Sequence, residues 1–371
     1  MDELKPIEHK IKAMAFRIAR PFLKRQQREF TPLDGNRLAK VLFLRPEKIG
    51  DMVISFPVFD GLRERYPRIK ISILGSPRNE AIIRSDPRFD RIFMYKKRPL
   101  DIIREIRAMR RERFDCVVDM ICDDSVTALF LSQLCAPGKP RIGVGKIKFR
   151  EFYDFNYDHR MGDTGHIIEN TLKLLEAFGI DSSKVSGYAP PYVDEQAKGR
   201  IDEYLGSVQN GSQPSRLIGY NLSAGSTTRL WAEEKSIELV KRLLGSDPAV
   251  KVILFTIPQE RSRGERIASL FGDNLYQAPP AMSLLEASAL IAKLDLFISP
   301  DTSLVHIARA YKVPVVGLYS RFMKNFLLWR PFGQEGGAVV SGNDDNIHDI
   351  TVDQVFDAYQ QLAAKRKMVP R

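Results

Sequence analysis

Cysteine is scarce. The 371 residues hold three, Cys116, Cys122 and Cys135, which is neither an even disulfide set nor a metal-ligand spacing. They read as buried, reduced thiols without chemistry of their own. Long apolar runs are also missing: no stretch reaches the roughly 18 residues of a membrane-spanning helix. The first residues lack the short apolar core and small-residue cleavage site of a secretory signal, so a cytoplasmic location is expected. No Gly-x-Gly-x-x-Gly follows a strand pattern, which weighs against a dinucleotide oxidoreductase, and no P-loop spacing occurs. The acidic pairs Asp123-Asp124 and Asp344-Asp345 have no flanking pattern of a metal site, so no metal is expected.

What is present is the composition of a folded soluble protein, 44% hydrophobic and 28% charged, long enough for two domains of roughly 150 residues. The net charge of +11 calls for an acidic partner: nucleic acid, anionic lipid or a phosphorylated substrate. In "KPIEHKIKAMAFRIARPFLKRQQR", Ile7, Ile11, Met14, Ile18 and Phe22 recur every three or four residues among Lys10, Arg17, Lys24, Arg25 and Arg28. This predicts a basic amphipathic helix within residues 1–30. It lies on an anionic membrane surface or docks on the protein's own core, and the pattern fits both.

From Lys40 onward short apolar runs alternate with helical ones. "KVLFL" (40–44), "KISIL" (70–74), "RIFMY" (91–95), "DCVVDM" (115–120) and "RIGV" (141–144) read as strands, with helices over 52–65, 100–113 and 166–178, the last ended by Gly179. After the Ser/Gly/Pro-rich "IDSSKVSGYAPPYVDE" a second series follows: 216–222, 251–256, 294–299 and 313–319 as strands, then a last helix over 352–365. Wholly apolar strands separated by helices imply parallel sheets covered on both faces. The expected organisation is the helix 1–30, Rossmann-like domains over 31–190 and 191–345, and a C-terminal helical segment 346–371.

Three stretches carry candidate chemistry. In "RPEKIGDMVISFP" (45–57), Gly50 permits a close turn and Asp51 stands at the mouth of a strand. Asp51 there is either the cap of a helix starting at Met52 or a base facing a ligand. "NLSAGSTTRLWAEE" (221–234) brings Ser226, Thr227 and the fixed charge of Arg229 together as the parts of a phosphate cradle, or as a plain turn. In "SPDTSLVHIARAYKVPVVGLYS" (299–320), Asp301, Thr302 and Ser303 open a helix whose N-terminus would hold an anion. His306 sits one turn inside it, facing ligand or core.

In order and spacing these stretches resemble the signature segments of the family 9 glycosyltransferases, the ADP-heptose:lipopolysaccharide heptosyltransferases, over roughly residues 40–320. The resemblance implies a GT-B fold: two Rossmann-like doubly wound domains facing a central cleft, acceptor on the first and donor on the second. It implies an inverting transfer of heptose from ADP-heptose to Kdo or heptose on lipid A, with Asp51 as general base and the ADP-sugar as substrate, without metal or cofactor. Ser226, Thr227 and Arg229, where the family often has Lys, match its diphosphate segment, as do Asp301, Thr302, Ser303 and His306. Glu260 in "TIPQERSRGER" matches its ribose contact and Met282 in "AMSLLEA" its adenine contact.

The chain departs from the family at "ICDDSVTALF", where many members carry a Gln-Gly pair, and this places the acceptor's identity in question. Lys48 and the basic residues Arg141, Lys146 and Lys148 of "RIGVGKIKFR" are the candidates to meet an acidic glycolipid, or else belong to a solvated loop. The expected partners are a nucleotide-sugar donor, such an acceptor and the inner membrane surface, with no nucleic acid. Another nucleotide sugar feeding a different surface glycan, or a non-catalytic basic protein that binds membrane or nucleic acid, would share much of this composition.

Overall fold

A computed structural model describes residues 14, 16–17, 20–23, 30–158, 165–209, 216–272 and 274–367. The chain divides into two compact units, Met1–Gly187 and Tyr188–Arg371, three residues before the boundary read from composition.

The first unit is built on six parallel strands: β1 (Lys40–Leu44), β2 (Lys70–Gly75), β3 (Arg91–Met94), β4 (Cys116–Asp119), β5 (Arg141–Val144) and β6 (Phe155–Tyr157). Their order is β3-β2-β1-β4-β5-β6. Since β1 is apolar at every interior position, it has to be covered on both faces. On one, Leu42, Leu44, Leu74, Phe93 and Val117 pack with Met109 and Phe114. On the other, the Phe43 ring meets that of Phe59 edge-on, centroids 5.0 Å apart. Gly179 ends the 166–178 segment at φ 68°, the left-handed conformation that glycine adopts without strain.

The second unit repeats the plan with β7 (Arg216–Asn221), β8 (Val250–Phe255), β9 (Leu275–Gln277), β10 (Leu296–Pro300), β11 (Val315–Tyr319) and β12 (Ala338–Val340), ordered β12-β11-β10-β7-β8-β9. All pairings are parallel. The final helix, Val352–Lys367, is part of this unit, not a separate segment. Its Val355, Ala358, Tyr359 and Leu362 share a core with Leu239, Val240 and Leu243.

Most of the amphipathic stretch 5–28 lies outside the described residues. Within the described part Phe16 packs on Phe149 (centroids 4.8 Å) and Phe152 (6.0 Å), and Arg20 pairs with Glu151 at 3.0 Å. Met14, expected on the apolar stripe, is instead 63% exposed. Two positions along a helix turn about 200°, so a segment docked through Phe16 turns Met14 outward. No helix among the described residues is long and apolar enough to cross a membrane.

Candidate active site

In the first sheet the strand order reverses between β1 and β4, and the carboxyl ends of those strands frame a crevice suited to a ligand. Arg45 follows β1 directly. Its side chain is 1% exposed, and its Nη1 donates to Glu47 Oε2 at 2.6 Å and to the Met120 carbonyl at the end of β4. Its Nε donates to the Asp51 carbonyl at 3.0 Å. Nη2 lies 3.8 Å from Asp51 Oδ1 and reaches no acceptor.

The helix at this junction runs Ile49–Val53, three residues earlier than expected, and a second helix starts at Phe56 with Pro57 in its first turn. Asp51 is therefore not the N-cap but the third residue inside. Its Oδ2 accepts the Lys48 backbone N–H at 3.1 Å, which satisfies one donor at the helix end. Oδ1 faces the Arg45 guanidinium. One oxygen of the carboxylate therefore serves the helix end while the other is turned to a buried guanidinium.

The electrostatics of this corner are unusual. Burial works against the charge of Arg45, but Glu47 and then Asp51 more than offset it and hold the guanidinium charged. Burial pushes the Glu47 carboxyl up to about 7; Asp51 and Asp119 add to that rise while Arg45 and Lys146 oppose it. Asp119, the last residue of β4, is fully buried and sits 2.8 Å from Lys146 Nζ, and its Oδ2 accepts the Tyr153 hydroxyl proton at 2.5 Å.

Two of the basic residues expected to meet an acceptor are thereby corrected. Lys146 is 0% exposed and donates to the carbonyls of Ile121 (2.6 Å) and Asp123 (2.9 Å) besides Asp119. Arg141 is likewise fully buried, at the amino end of β5, where its Nε donates to the Phe152 carbonyl at 2.6 Å. Their charges serve the unit's interior. Lys48 and Lys148 are exposed, Lys48 immediately before the Asp51 helix.

The second sheet reverses order between β7 and β10, and the second and third sequence stretches emerge at the carboxyl ends of these two strands. Arg229 Nη1 donates to the Asp301 carbonyl and forms an ion pair with Asp301 Oδ2, each at 3.1 Å. Asn221, the last residue of β7, donates from Nδ2 to Ser299 Oγ at 3.0 Å and to Thr302 Oγ1 at 3.4 Å. Ser226 and Thr228 share a hydroxyl contact of 2.9 Å, and Thr227 begins the short turn that ends at Arg229. Thr302 stands at the N-cap of the helix Ser303–Ala310. His306 is 7% exposed within that helix, its ring 5.5 Å from that of Trp329, so its face is turned to the interior. Glu260 follows β8 at the start of the helix Arg261–Ala268, and its Oε2 is buried without a hydrogen-bond partner. Met282 is half-buried in the loop after β9, beside Ala281 at φ 52°.

Residues outside the sequence reading also belong to these corners. Arg45 and Glu47 lay within the quoted stretch, but a charged residue after a strand gives no sign that it will be buried. Tyr319, at the end of β11, is 3% exposed with an unpaired hydroxyl. Burial, and next the Asp301 charge, hold its phenol well above the ordinary range against Arg229. The side-chain amide of Gln277, ending β9, is also buried without a partner. Among the described residues no group of three or more His, Cys, Asp or Glu is placed to hold a metal ion.

Two six-stranded parallel sheets of Rossmann order, each with its conspicuous polar residues at the switch point, define a GT-B α/β protein. The sequence profile of glycosyltransferase family 9 (heptosyltransferase) matches residues 102–359, and the chain belongs to that family. Lipopolysaccharide heptosyltransferase 3 of Escherichia coli is 22% identical over 302 residues, 76% of this chain and 83% of the relative. Among solved structures, the family 9 glycosyl transferase of Veillonella parvula superposes with a TM-score of 0.72 at 18% identity, covering 90% of this chain and 99% of the other. The E. coli heptosyltransferase WaaC with ADP gives 0.65 at 18% identity, covering 89% and 100%.

Proposed function

We propose that this chain is an inverting glycosyltransferase that moves heptose from ADP-heptose to a lipopolysaccharide core acceptor, Kdo or heptose on lipid A, with Asp51 as general base. The observation that carries the reading is the joining of the two donor-side stretches by Arg229 and Asp301 at the switch point of the second sheet. A fixed guanidinium, hydroxyls and a helix N-terminus at one strand end suit a nucleoside diphosphate. WaaC, a family member of the same fold, is known with ADP.

In the reaction the acceptor hydroxyl gives its proton to Asp51 while its oxygen attacks the anomeric carbon, and the bond from that carbon to the diphosphate oxygen breaks on the opposite face. Negative charge grows on the departing ADP. Arg229 and the N–H groups at the start of Ser303–Ala310 stabilise it in this reading, a role in which fixed protein dipoles and cations act without a metal. Ser226 and Thr227 bind the same diphosphate, Glu260 the ribose and Met282 the base. Lys48 and Lys148 remain as cations for an acidic glycolipid. The net charge of +11 suits work at the cytoplasmic face of the inner membrane.

The test is the thermal shift of the full chain with ADP, UDP, GDP and NAD, since a ligand of the folded state raises its melting temperature. Selective stabilisation by ADP is expected. A preference for UDP or GDP would replace the donor while keeping glycosyl transfer. No response to any nucleotide would favour the non-catalytic reading.

A further inference from the structure

The corner that holds Asp51 contains more charge than a single base needs. Arg45 is fully buried, yet its guanidinium is committed unevenly: Nη1 hydrogen-bonds to Glu47 and the Met120 carbonyl and Nε to the Asp51 carbonyl, whereas Nη2 makes no hydrogen bond. Nη2 instead lies in a long ion pair, 3.8 Å from Asp51 Oδ1, and is too enclosed for a substrate to reach. A buried charged donor without an acceptor is costly and calls for a reason. The orientation of the guanidinium is set by its other contacts. Two of these are backbone carbonyls on fixed elements, and the third is the half-buried carboxylate of Glu47.

We propose that Glu47 and Arg45 are a positioning pair for the Asp51 carboxylate: Glu47 anchors Nη1, and the anchored guanidinium sets the place and charge of the Asp51 oxygen that takes the acceptor proton. The inference rests on the reading of Asp51 as the base. Neither Glu47 nor Arg45 is assigned contact with substrate; both act through Asp51.

Ionised Glu47 makes a charge-assisted bond to Arg45 that the neutral acid cannot match. The pairing therefore tightens as Glu47 loses its proton, which its surroundings place near pH 7. The groups facing it are Arg45 and Asp51 on its own segment, Asp119 from β4 and Lys146 from the loop after β5; Cys122 faces Arg45. The rate constant kcat is accordingly expected to rise through neutrality.

One arm of the test needs no acceptor. In the full chain with carbon-13-labelled glutamate, the Glu47 carboxyl resonance is assigned with Glu47→Gln and its titration compared between wild type and Asp51→Asn. Two interacting carboxylates titrate as a pair, so removing one charge should lower the Glu47 midpoint by about half a pH unit or more. A midpoint that does not move overturns the pairing, whatever Asp51 does.

The second arm uses ADP-heptose with Kdo-bearing and heptosylated lipid A. Glu47→Ala is expected to lower kcat about tenfold with the donor KM unchanged. Glu47→Gln, which keeps an oxygen for Nη1 but not the charge, should recover only part of that loss and flatten the rise of kcat through pH 7. An unchanged kcat in Glu47→Ala overturns the proposal. Wild-type turnover in Asp51→Asn would instead remove the base reading, with the Glu47 titration still deciding whether the two carboxylates are coupled.

Discussion

Arg229 and Asp301 lie 72 positions apart in sequence and 3.1 Å apart in space, bonded through both the side chain and the carbonyl of the aspartate. The contact ties the loop after β7 to the loop after β10. It also keeps a cation in place while Arg229 remains 40% exposed and able to meet a ligand. Replacing Arg229 with Gln should weaken ADP binding about tenfold, equivalent to about 1.4 kcal/mol, whereas Arg229→Lys should keep part of the affinity through its point charge. Isothermal titration calorimetry distinguishes the two, and equal affinity in wild type and Arg229→Gln would remove Arg229 from the donor site.

Asp51→Asn preserves shape and the capping acceptor but not the proposed base. Turnover is expected to fall on the order of a hundredfold or more while ADP affinity stays within about twofold. Steady-state kinetics alongside calorimetry read both.

The buried pair of Lys146 and Asp119 makes a different prediction. Lys146→Met would leave the Asp119 carboxylate buried without its cation, at a cost of about 3 kcal/mol or more in stability. Lys148→Ala, an exposed change two residues on, should stay within about 0.5 kcal/mol. Urea denaturation compares them, and similar midpoints would contradict the burial that separates the two lysines.

Glu47 links stability to pH with a definite sign. Its carboxyl is raised in the folded state from an ordinary 4.5 to about 7, so the folded protein holds that proton more tightly than the unfolded chain does. Its contribution is complete below pH 4.5, is lost as the pH rises toward 7, and is constant above. Glu47→Gln should therefore be more stable than wild type above pH 7, by on the order of 1 kcal/mol, with the advantage gone at pH 4. Denaturation at both pH values tests it; an advantage at the acid end alone would reverse the sign.

The thiols offer a test of packing. Burial raises the Cys116 and Cys122 thiols and pushes that of Cys135 up to about 12. All three are free, and Cys116 and Cys135 are buried. In the native protein near neutral pH, Cys116 and Cys135 should resist Ellman's reagent and react only when denaturant is added.

The long central strands were legible because their apolar runs have no other use: β1 and β5 fall where "KVLFL" and "RIGV" place them. The edge strands β6, β9 and β12 were not, since three residues each carry too little pattern to separate strand from loop. The helix expected over 52–65 is two helices, because the chain turns at Ile54–Ser55 before Pro57. In the candidate site Asp51, Arg229 and Asp301 could be picked out from motifs. The burial of Arg141 and Lys146 could not, because a basic residue looks the same in sequence whether its partner is water or a carbonyl or carboxylate brought from elsewhere in the chain.

The sequence by itself determined the two parallel sheets and the family, both of which follow from local periodicity and from motifs that are contiguous in the chain. Only the tertiary structure decided which charges face solvent and which face each other. Arg45 meets Met120 across 75 positions and Lys146 meets Asp119 across 27 because parallel β1, β4 and β5 lie side by side. A buried charge is held by groups that surround it in space, and no local pattern records what the folded chain brings there.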